Sequence, residues 1–208
     1  MMSLRFIIVV LLAAAPLAVA AADESATFLG RDIDQWGERF TSSDGQQKVH
    51  AAWAIAQLAG SQGGSPQDAI WFSELVKLIS DRDASVRYWG VMGLAKYAAA
   101  VEAKDGGRTA ARSTLHPLLK DDAPSVRIAA AETVGRFGEP QRALPVLIAA
   151  LDDPREAVRV EAVRALENLG EAARPAEAVL RSAAMDNNEY VKRISTRALA
   201  NLQAKEGS

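Results

Sequence analysis

The chain has 208 residues, with 24 Lys plus Arg, 26 Asp plus Glu, no cysteine and a formal net charge of −2 at pH 7. This composition fits one globular unit and excludes a disulfide scaffold or a cysteine-ligated zinc site. The negative net charge also argues against a general nucleic-acid binder, because such proteins carry a basic surface.

The first twenty residues have the pattern of a cleavable signal peptide. Arg5 precedes ten apolar residues, 6–15, and small residues occupy the first and third positions of 18–20, as a signal peptidase requires. An uncleaved anchor is disfavoured, because the apolar run is shorter than the roughly 20 residues that span a bilayer. We expect cleavage after Ala20, with Ala22 as the alternative, and a periplasmic or secreted protein without stable membrane insertion.

After a short N-terminal extension, residues 21–32, the chain repeats a pattern in which an acid lies six residues before a base. A small residue follows the base by three positions and an apolar residue follows it by seven. The four full copies have these acids and bases: Asp81 and Arg87, Asp121 and Arg127, Asp153 and Arg159, Asp186 and Lys192. A degenerate fifth copy has Lys48 as the base and Ser42 instead of the acid. Successive bases are 39, 40, 32 and 33 residues apart, a period typical of a solenoid of helix pairs.

The unit 140–170 indicates why each repeat consists of two helices. Pro140 and Pro145 bracket the start of the first helix, in which apolar residues recur at three- and four-residue spacing. Asp153 is expected to cap the second helix, which runs over about 155–169. Neither helix can bury its apolar face alone, so each pair needs neighbours on both sides.

The chain is therefore predicted to be all-α, with about five antiparallel helix pairs. The predicted pairs cover about 33–60, 66–98, 110–138, 140–170 and 174–202, and a tail follows at 204–208. The connecting segments 60–66 and 99–109 are rich in glycine and polar residues. We interpret them as flexible connectors rather than contact loops.

The run Asp-x-x-x-x-Val-Arg-x-x-Ala-x-x-Ala-Leu at 153–166 resembles HEAT repeats of the phycobilisome-lyase-like subtype, and the resemblance extends over 33–203. It implies a right-handed, armadillo-like α-solenoid. It also implies a ladder between adjacent repeats, formed by Asp81, Asp121, Asp153 and Asp186 with Arg87, Arg127, Arg159 and Lys192. The first repeat lacks the acid, as expected where no repeat precedes it, and Lys192 cannot make the forked contact of an arginine.

No residue pattern indicates a catalytic, metal or cofactor site. The acid and base pairs recur once in each full copy, which favours a structural role over acid–base catalysis. The two histidines, His50 and His116, lie in different repeats, and neither a Gly-x-Ser-x-Gly elbow nor a phosphate-binding glycine loop is present. We therefore predict a protein that is not an enzyme and that needs no metal or cofactor.

In the repeats that this chain resembles, the second helices line the concave face, so aligning these helices predicts columns of exposed side chains. The N-terminal half of this face is aromatic and apolar, and such side chains commonly anchor a binding surface. The predicted contact patch comprises His50, Trp53, Trp89 and Met92, edged by Lys96 and Arg136. An alternative is that the segment from Phe28 to Phe40, which contains Trp36, covers Trp53 and Trp89 as a terminal cap.

Two classes of function remain open. The first is a non-enzymatic scaffold that is exported and binds a protein or peptide partner on its concave face. The second is a bilin-lyase-like enzyme, or an accessory subunit of one, as the repeat subtype implies. The signal peptide disfavours the second class, because pigment assembly is cytoplasmic. The sequence leaves the oligomeric state open.

Overall fold

The computed structural model describes residues 27–41, 44–59, 68–101 and 106–204. The predicted signal peptide and its cleavage sites lie outside the described residues, as do Ser42, the connector 60–67 and residues 205–208. The described residues form α-helices and two 3-10 helices, with no β-strand among them. None of these helices is both long and apolar enough to cross a membrane.

The helices follow one another in five pairs, each with a first and a second helix. Their bounds are α1 Ile33–Phe40 and α2 Gly45–Leu58; α3 Asp68–Ile79 and α4 Ala84–Ala100; α5 Gly107–Thr114, continued by a 3-10 helix His116–Lys120, and α6 Pro124–Arg136; α7 Pro140–Leu151 and α8 Glu156–Leu169; and a 3-10 helix Gly170–Ala176 with α9 Glu177–Ala183, and α10 Glu189–Ala204. Short turns within each pair make its two helices antiparallel neighbours. The second helices α2, α4, α6, α8 and α10 pack side by side in that order.

The apolar core follows the stack from end to end. Its N-terminal cluster extends from Trp36 to Val134 and its C-terminal cluster from Ile128 to Leu202, and Leu119 packs against both. The small residue three positions after the base of each full copy is buried: Gly90, Ala130, Ala162 and Ser195. A Cβ atom added at Gly90 would lie only 2.8 Å from the main-chain nitrogen of Ile79. These positions are therefore small because α-helices approach closely there.

The prediction that Asp153 caps the second helix of its repeat is wrong. The α8 helix begins at Glu156, after Arg155 as N-cap, and Asp153 instead accepts a hydrogen bond from the Arg155 amide at 2.9 Å. The acids of the other three full copies accept the amide two residues on in the same way, at 2.7–2.9 Å. The recurrent acid thus fixes the turn before the second helix and does not cap that helix, because it lies two residues too early.

Two further expectations about helix bounds need correction. Pro145 lies inside α7 and does not mark its start, so α7 continues through a position that lacks a main-chain donor. The predicted connector 99–109 is shorter, because α4 runs to Ala100 and α5 begins at Gly107. Within this connector, residues 102–105 lie outside the described residues.

Candidate functional site

Ion pairs join adjacent repeats at the turns between first and second helices. In each, the base of one repeat binds the acid of the next: Lys48 with Asp81, Arg87 with Asp121 and Arg159 with Asp186. Arg87 makes a forked contact, with its Nε and Nη2 donating to Asp121 at 2.7 and 2.8 Å. We call these three pairs the rungs.

The predicted rung between Arg127 and Asp153 does not form. Arg155 donates to both carboxylate oxygens of Asp153 at 2.8 Å, and this contact lowers the pKa of Asp153 to about 2. Arg127 instead donates to the main-chain carbonyls of Asp121 and Asp122. At the end of the series, Lys192 pairs with Glu189 of its own helix at 2.6 Å.

The six-residue spacing of acid and base has a local cause. Arg87 Nη1 donates to the Asp81 carbonyl oxygen at 2.9 Å, and Arg159 Nη1 donates to the Asp153 carbonyl oxygen at 2.9 Å. Each guanidinium therefore binds the turn of its own repeat. Arg87 and Arg159 also bind the acid of the following repeat. Burial opposes ionisation of Asp121, but hydrogen bonds from Arg87 and the Ala123 amide outweigh it and lower its pKa. This network joins the turns of neighbouring repeats.

Three residues of the predicted patch, His50, Trp53 and Trp89, come together in one groove. The groove has a volume of about 650 Å³ and lies between α2 and α4. We call it the aromatic groove; its lining residues are Gly45, Gln46, Val49, His50, Trp53, Asp83 and Trp89. His50 is exposed, whereas Trp53 and Trp89 are partly exposed.

The N-terminal segment covers one side of this aromatic cluster. The imidazole of His50 stacks on Trp53, with ring centroids 5.4 Å apart, and Trp36 packs edge-on against His50 at 5.3 Å. Phe28 packs edge-on against Trp53 at 5.0 Å, and its carbonyl oxygen accepts a hydrogen bond from Trp36 Nε1 at 3.0 Å. The segment thus covers part of Trp53, as the cap alternative expects, while the groove between Trp53 and Trp89 stays open.

The start of α1 explains how this segment is positioned. Asp32 and Gln35 form a capping box, in which each side chain accepts the other's main-chain amide, at 2.9 and 3.2 Å. Trp36 follows immediately and is only 1% exposed. A fixed helix start therefore holds the buried indole, which in turn holds Phe28 against the groove.

Met92 lies in a second pocket, beside the aromatic groove. This polar pocket has a volume of about 260 Å³ and lies among α4, α6 and α8; its lining residues are Tyr88, Met92, Ser125, Ile128, Ala129, Glu132, Glu161, Arg164 and Asn168. The Tyr88 and Trp89 rings pack edge-on with centroids 5.4 Å apart. These two consecutive residues form the wall that the groove and the polar pocket share.

Lys96 and Arg136 are exposed on the same face, but neither lines the groove. Lys96 Nζ donates to Gln57 Oε1 at 2.6 Å, and Arg136 Nη1 lies 3.8 Å from Glu132 Oε1. Desolvation lowers the pKa of Lys96. The predicted patch is thus divided between a groove, a pocket and two basic side chains nearby.

The predicted contact patch left out Tyr88, which the alignment of second helices did not single out, and the acidic side chains opposite it, which that alignment placed on the same face. Burial raises the pKa of Tyr88, and Glu161 and Glu132 add to the effect. Desolvation also raises the pKa of Glu161, against a smaller effect of Arg164. The available signal was that Tyr88 lies four residues before Met92, so that both belong to one face of α4.

His116 belongs to a separate ionic cluster on the first-helix side. Its Nε2 lies 2.7 Å from Glu139 Oε2, and Arg112 and Arg142 contact the same carboxylate at 2.8 and 2.9 Å. Within the described ranges, no group of three or more His, Cys, Asp or Glu side chains is arranged to hold a metal ion.

Solved structures with helical repeats resemble this one. An engineered protein has a TM-score of 0.58 at 24% identity, with 83% of this chain and 79% of that chain covered. A designed armadillo repeat protein in complex with peptide (KR)4 has a TM-score of 0.56 at 24% identity, covering 82% and 81%. One chain of the complex of CpcE and CpcF of phycocyanin lyase from Nostoc sp. PCC7120 has a TM-score of 0.59 at 18% identity, with 88% of this chain and 70% of that chain covered.

These likenesses confirm the predicted α-solenoid fold. No curated protein matches the sequence significantly. The family model of HEAT repeats matches residues 73–154 and 113–200, which together make up more than half of the chain. The chain therefore belongs to the HEAT-repeat family.

Proposed function

We propose that this protein is an exported, non-enzymatic interaction module that binds a protein or peptide partner on the face formed by its second helices. The aromatic groove is the main contact, and Met92, Lys96 and Arg136 are secondary contacts on the same face. The observation that carries the proposal is that Trp53 and Trp89 stay partly exposed around an open groove, although Phe28 and Trp36 pack over its other side.

Partly exposed tryptophans are effective anchors. Burial of their apolar surface contributes about 25 cal/mol per Å², and the ring loses little conformational freedom when it is covered. Tryptophan is accordingly enriched among the residues that dominate binding energy. Because α2 and α4 hold Trp53 and Trp89 on rigid helices, the groove is preorganised for a partner.

Similar folds in complexes support an interaction role. The designed armadillo repeat protein is in complex with a peptide, and CpcE is in complex with CpcF. Solenoids of stacked repeats present extended surfaces on which such partners bind. We propose that this chain also binds a partner through its repeats, without assigning to it the ligands of those proteins.

Export is the second part of the proposal and rests on residues 1–20. The full chain with a C-terminal tag should be expressed in a bacterial host and recovered from the periplasmic and secreted fractions. We expect a mature N-terminus at Ala21, or at Asp23 if Ala22 precedes the cut, when the intact mass is measured. Recovery of the uncut chain from the cytoplasm would refute export.

The binding role is tested with the chain from Ala21 as bait. Parent, Trp53→Ala, Trp89→Ala and the double variant are compared, with Tyr190→Ala as the matched control, because Tyr190 is 61% exposed on α10 at the far end of the stack. We expect a partner from periplasmic or secreted extract to bind the parent and Tyr190→Ala, and to be lost from the groove variants. The partner is then identified, purified and titrated against each variant.

Circular dichroism separates loss of binding from loss of folding. If Trp53 and Trp89 are binding residues, their variants keep the parental helical signal and a similar melting temperature. A large fall in melting temperature with partner binding intact would instead assign these residues to the terminal cap. Equal binding by the parent and by the folded double variant would refute the groove as the contact.

A bilin-lyase-like enzyme, or an accessory subunit of one, is the second candidate, and the likeness to the CpcE and CpcF complex favours it. Incubation with a bilin gives a direct test. A new visible absorption band that stays with the protein after denaturation would support this candidate. An unchanged spectrum would favour the interaction module.

A further inference from the structure

The aromatic groove and the polar pocket are adjacent halves of one surface. Trp89 lines the groove and Tyr88 lines the pocket, and the two rings are in edge-on contact. A ligand that fills the groove therefore lies against the wall of the pocket. The chemistry of the pocket then selects what the next part of that ligand can be.

The polar pocket contains an exposed carboxylate, that of Glu161, which forms no hydrogen bond or ion pair with the described chain. Asn168 Nδ2 donates to Glu132 at 3.0 Å, and Arg136 lies 3.8 Å from the same group. Glu161, in contrast, has neither a hydrogen-bond nor an ion-pair partner among the described residues. Arg164 also lines the pocket and attracts Glu161 electrostatically, but the two side chains form no ion pair.

The other walls of the pocket suit a long, cationic side chain. Met92 and Ile128 offer an apolar surface for its methylene groups, which long basic side chains commonly cover. The Tyr88 ring, which is partly buried, can attract the cationic head through its face, and Glu161 can accept a charge-assisted hydrogen bond. An anionic side chain would instead approach two carboxylates, Glu132 and Glu161, against the single guanidinium of Arg164 in the same pocket. A volume of about 260 Å³ accommodates one such side chain.

The distance between the two halves limits the spacing of the ligand groups. Neighbouring packed helices lie about 8–10 Å apart, and an extended peptide advances about 3.3 Å per residue. Side chains that enter the groove and the pocket together are therefore about two to four residues apart in an extended segment.

We propose that the partner is an extended peptide segment in which a bulky apolar residue enters the aromatic groove and a Lys or Arg two to four residues away enters the polar pocket, beside Glu161 and Tyr88. This inference rests on the proposed function and adds the chemical class of the partner to it. Charge complementarity and the shared wall of Tyr88 and Trp89 support this occupant.

The test uses a random peptide library displayed on phage and selected on the chain from Ala21, with the Trp53→Ala, Trp89→Ala double variant as the counter-target. We expect selected peptides to combine an apolar residue with Lys or Arg at the stated spacing. Peptides with an apolar residue and no spaced cation would overturn the inference and leave the groove as a binding site. If no sequence is preferred over the counter-target, the inference fails, and the pull-down with the groove variants decides separately whether the groove binds a folded partner.

A charge variant tests the pocket directly. A selected peptide with a fluorescent label is titrated against the parent, Glu161→Gln and Glu189→Gln. Glu189 is the matched control because its side chain is 80% exposed on α10. We expect Glu161→Gln to weaken binding on the order of tenfold, as loss of one charge-assisted hydrogen bond predicts, and Glu189→Gln to leave it unchanged.

Replacement of the peptide's basic residue by norleucine completes a double-mutant cycle with Glu161→Gln. It should weaken binding to the parent by the same factor and have little further effect on Glu161→Gln. Equal losses on the parent and on Glu161→Gln would overturn the assignment of the cation to this pocket.

Discussion

Replacement of Arg87 by alanine tests what one rung contributes to the stack. Arg87 donates two hydrogen bonds to Asp121, at 2.7 and 2.8 Å, and two at 2.9 Å to main-chain carbonyls of its own turn. The side chains of Arg87 and Asp121 are only 15% and 7% exposed, so the variant leaves a nearly buried carboxylate without its cation. Loss of one partner from a buried pair costs about 3–5 kcal/mol, and we expect about 3 kcal/mol because Arg87 still reaches solvent.

Arg127→Ala is the matched control for this change. Arg127 has the same position in the next repeat and also donates two hydrogen bonds to main-chain carbonyls. Among the described residues, however, no carboxylate accepts a hydrogen bond from it. The difference between the two variants therefore isolates the carboxylate contact, for which about 1.5–3 kcal/mol is expected.

The free energy of unfolding is measured by urea titration followed by circular dichroism. Amide hydrogen exchange in α4 and α6 then locates the loss at the junction of the second and third repeats. Equal destabilisation by Arg87→Ala and Arg127→Ala would refute the reasoning, because the main-chain contacts would then account for the whole effect. Adding Asp121→Asn to Arg87→Ala should restore part of the loss, since no unpaired carboxylate remains and the side-chain oxygen can still accept the Ala123 amide.

Three further predictions concern stability. Ser195→Ala should stabilise the fold by about 1 kcal/mol, because the buried Ser195 hydroxyl has no hydrogen-bond partner; a lower melting temperature would contradict this. Gly90→Ala should destabilise the fold by about 1–3 kcal/mol, because the new Cβ would be too close to Ile79. Gly37→Ala should instead stabilise the fold by up to about 1 kcal/mol in the same melting experiment, because nothing lies within 4 Å of its new Cβ. The pKa values of the three rung carboxylates are lowered, so their stabilising contribution is full above the ordinary aspartate pKa and is lost as the pH falls through the lowered value. Urea midpoints should therefore fall between roughly pH 5 and pH 2, and midpoints that stay constant over this range would contradict the role of the rungs.

The helix pairs were predictable because the repeat fixes both their period and their buried small positions. Gly90 and Ser195, for example, occupy equivalent sites in different repeats, and both are buried. The grouping of His50, Trp53 and Trp89 followed from the same register, since equivalent positions of adjacent second helices become neighbours. These inferences depend only on regular repetition.

What the register could not predict depends on local competition and on non-repeated contacts. Arg155 lies two residues from Asp153 and binds both of its carboxylate oxygens, in place of Arg127 of the preceding repeat, so one rung is missing. Phe28 reaches Trp53 because of a hydrogen bond from Trp36, which no periodic pattern encodes. The polar pocket likewise depends on side chains from three helices, and the sequence of one helix does not determine its distance from the other two.

The missing rung changes how the molecule can bend. Its junction, between the third and fourth repeats, is instead joined at the opposite edge of the stack, where Glu139 of the turn before α7 binds Arg112 and His116. We therefore expect bending at this junction to hinge near Glu139 and to separate the turns between the first and second helices. At the other three junctions, a rung holds those turns together. The Glu132 and Glu161 side chains, on α6 and α8, lie on either side of this junction, so a ligand that contacts both would connect the third and fourth repeats on the second-helix face, at the junction that lacks a rung.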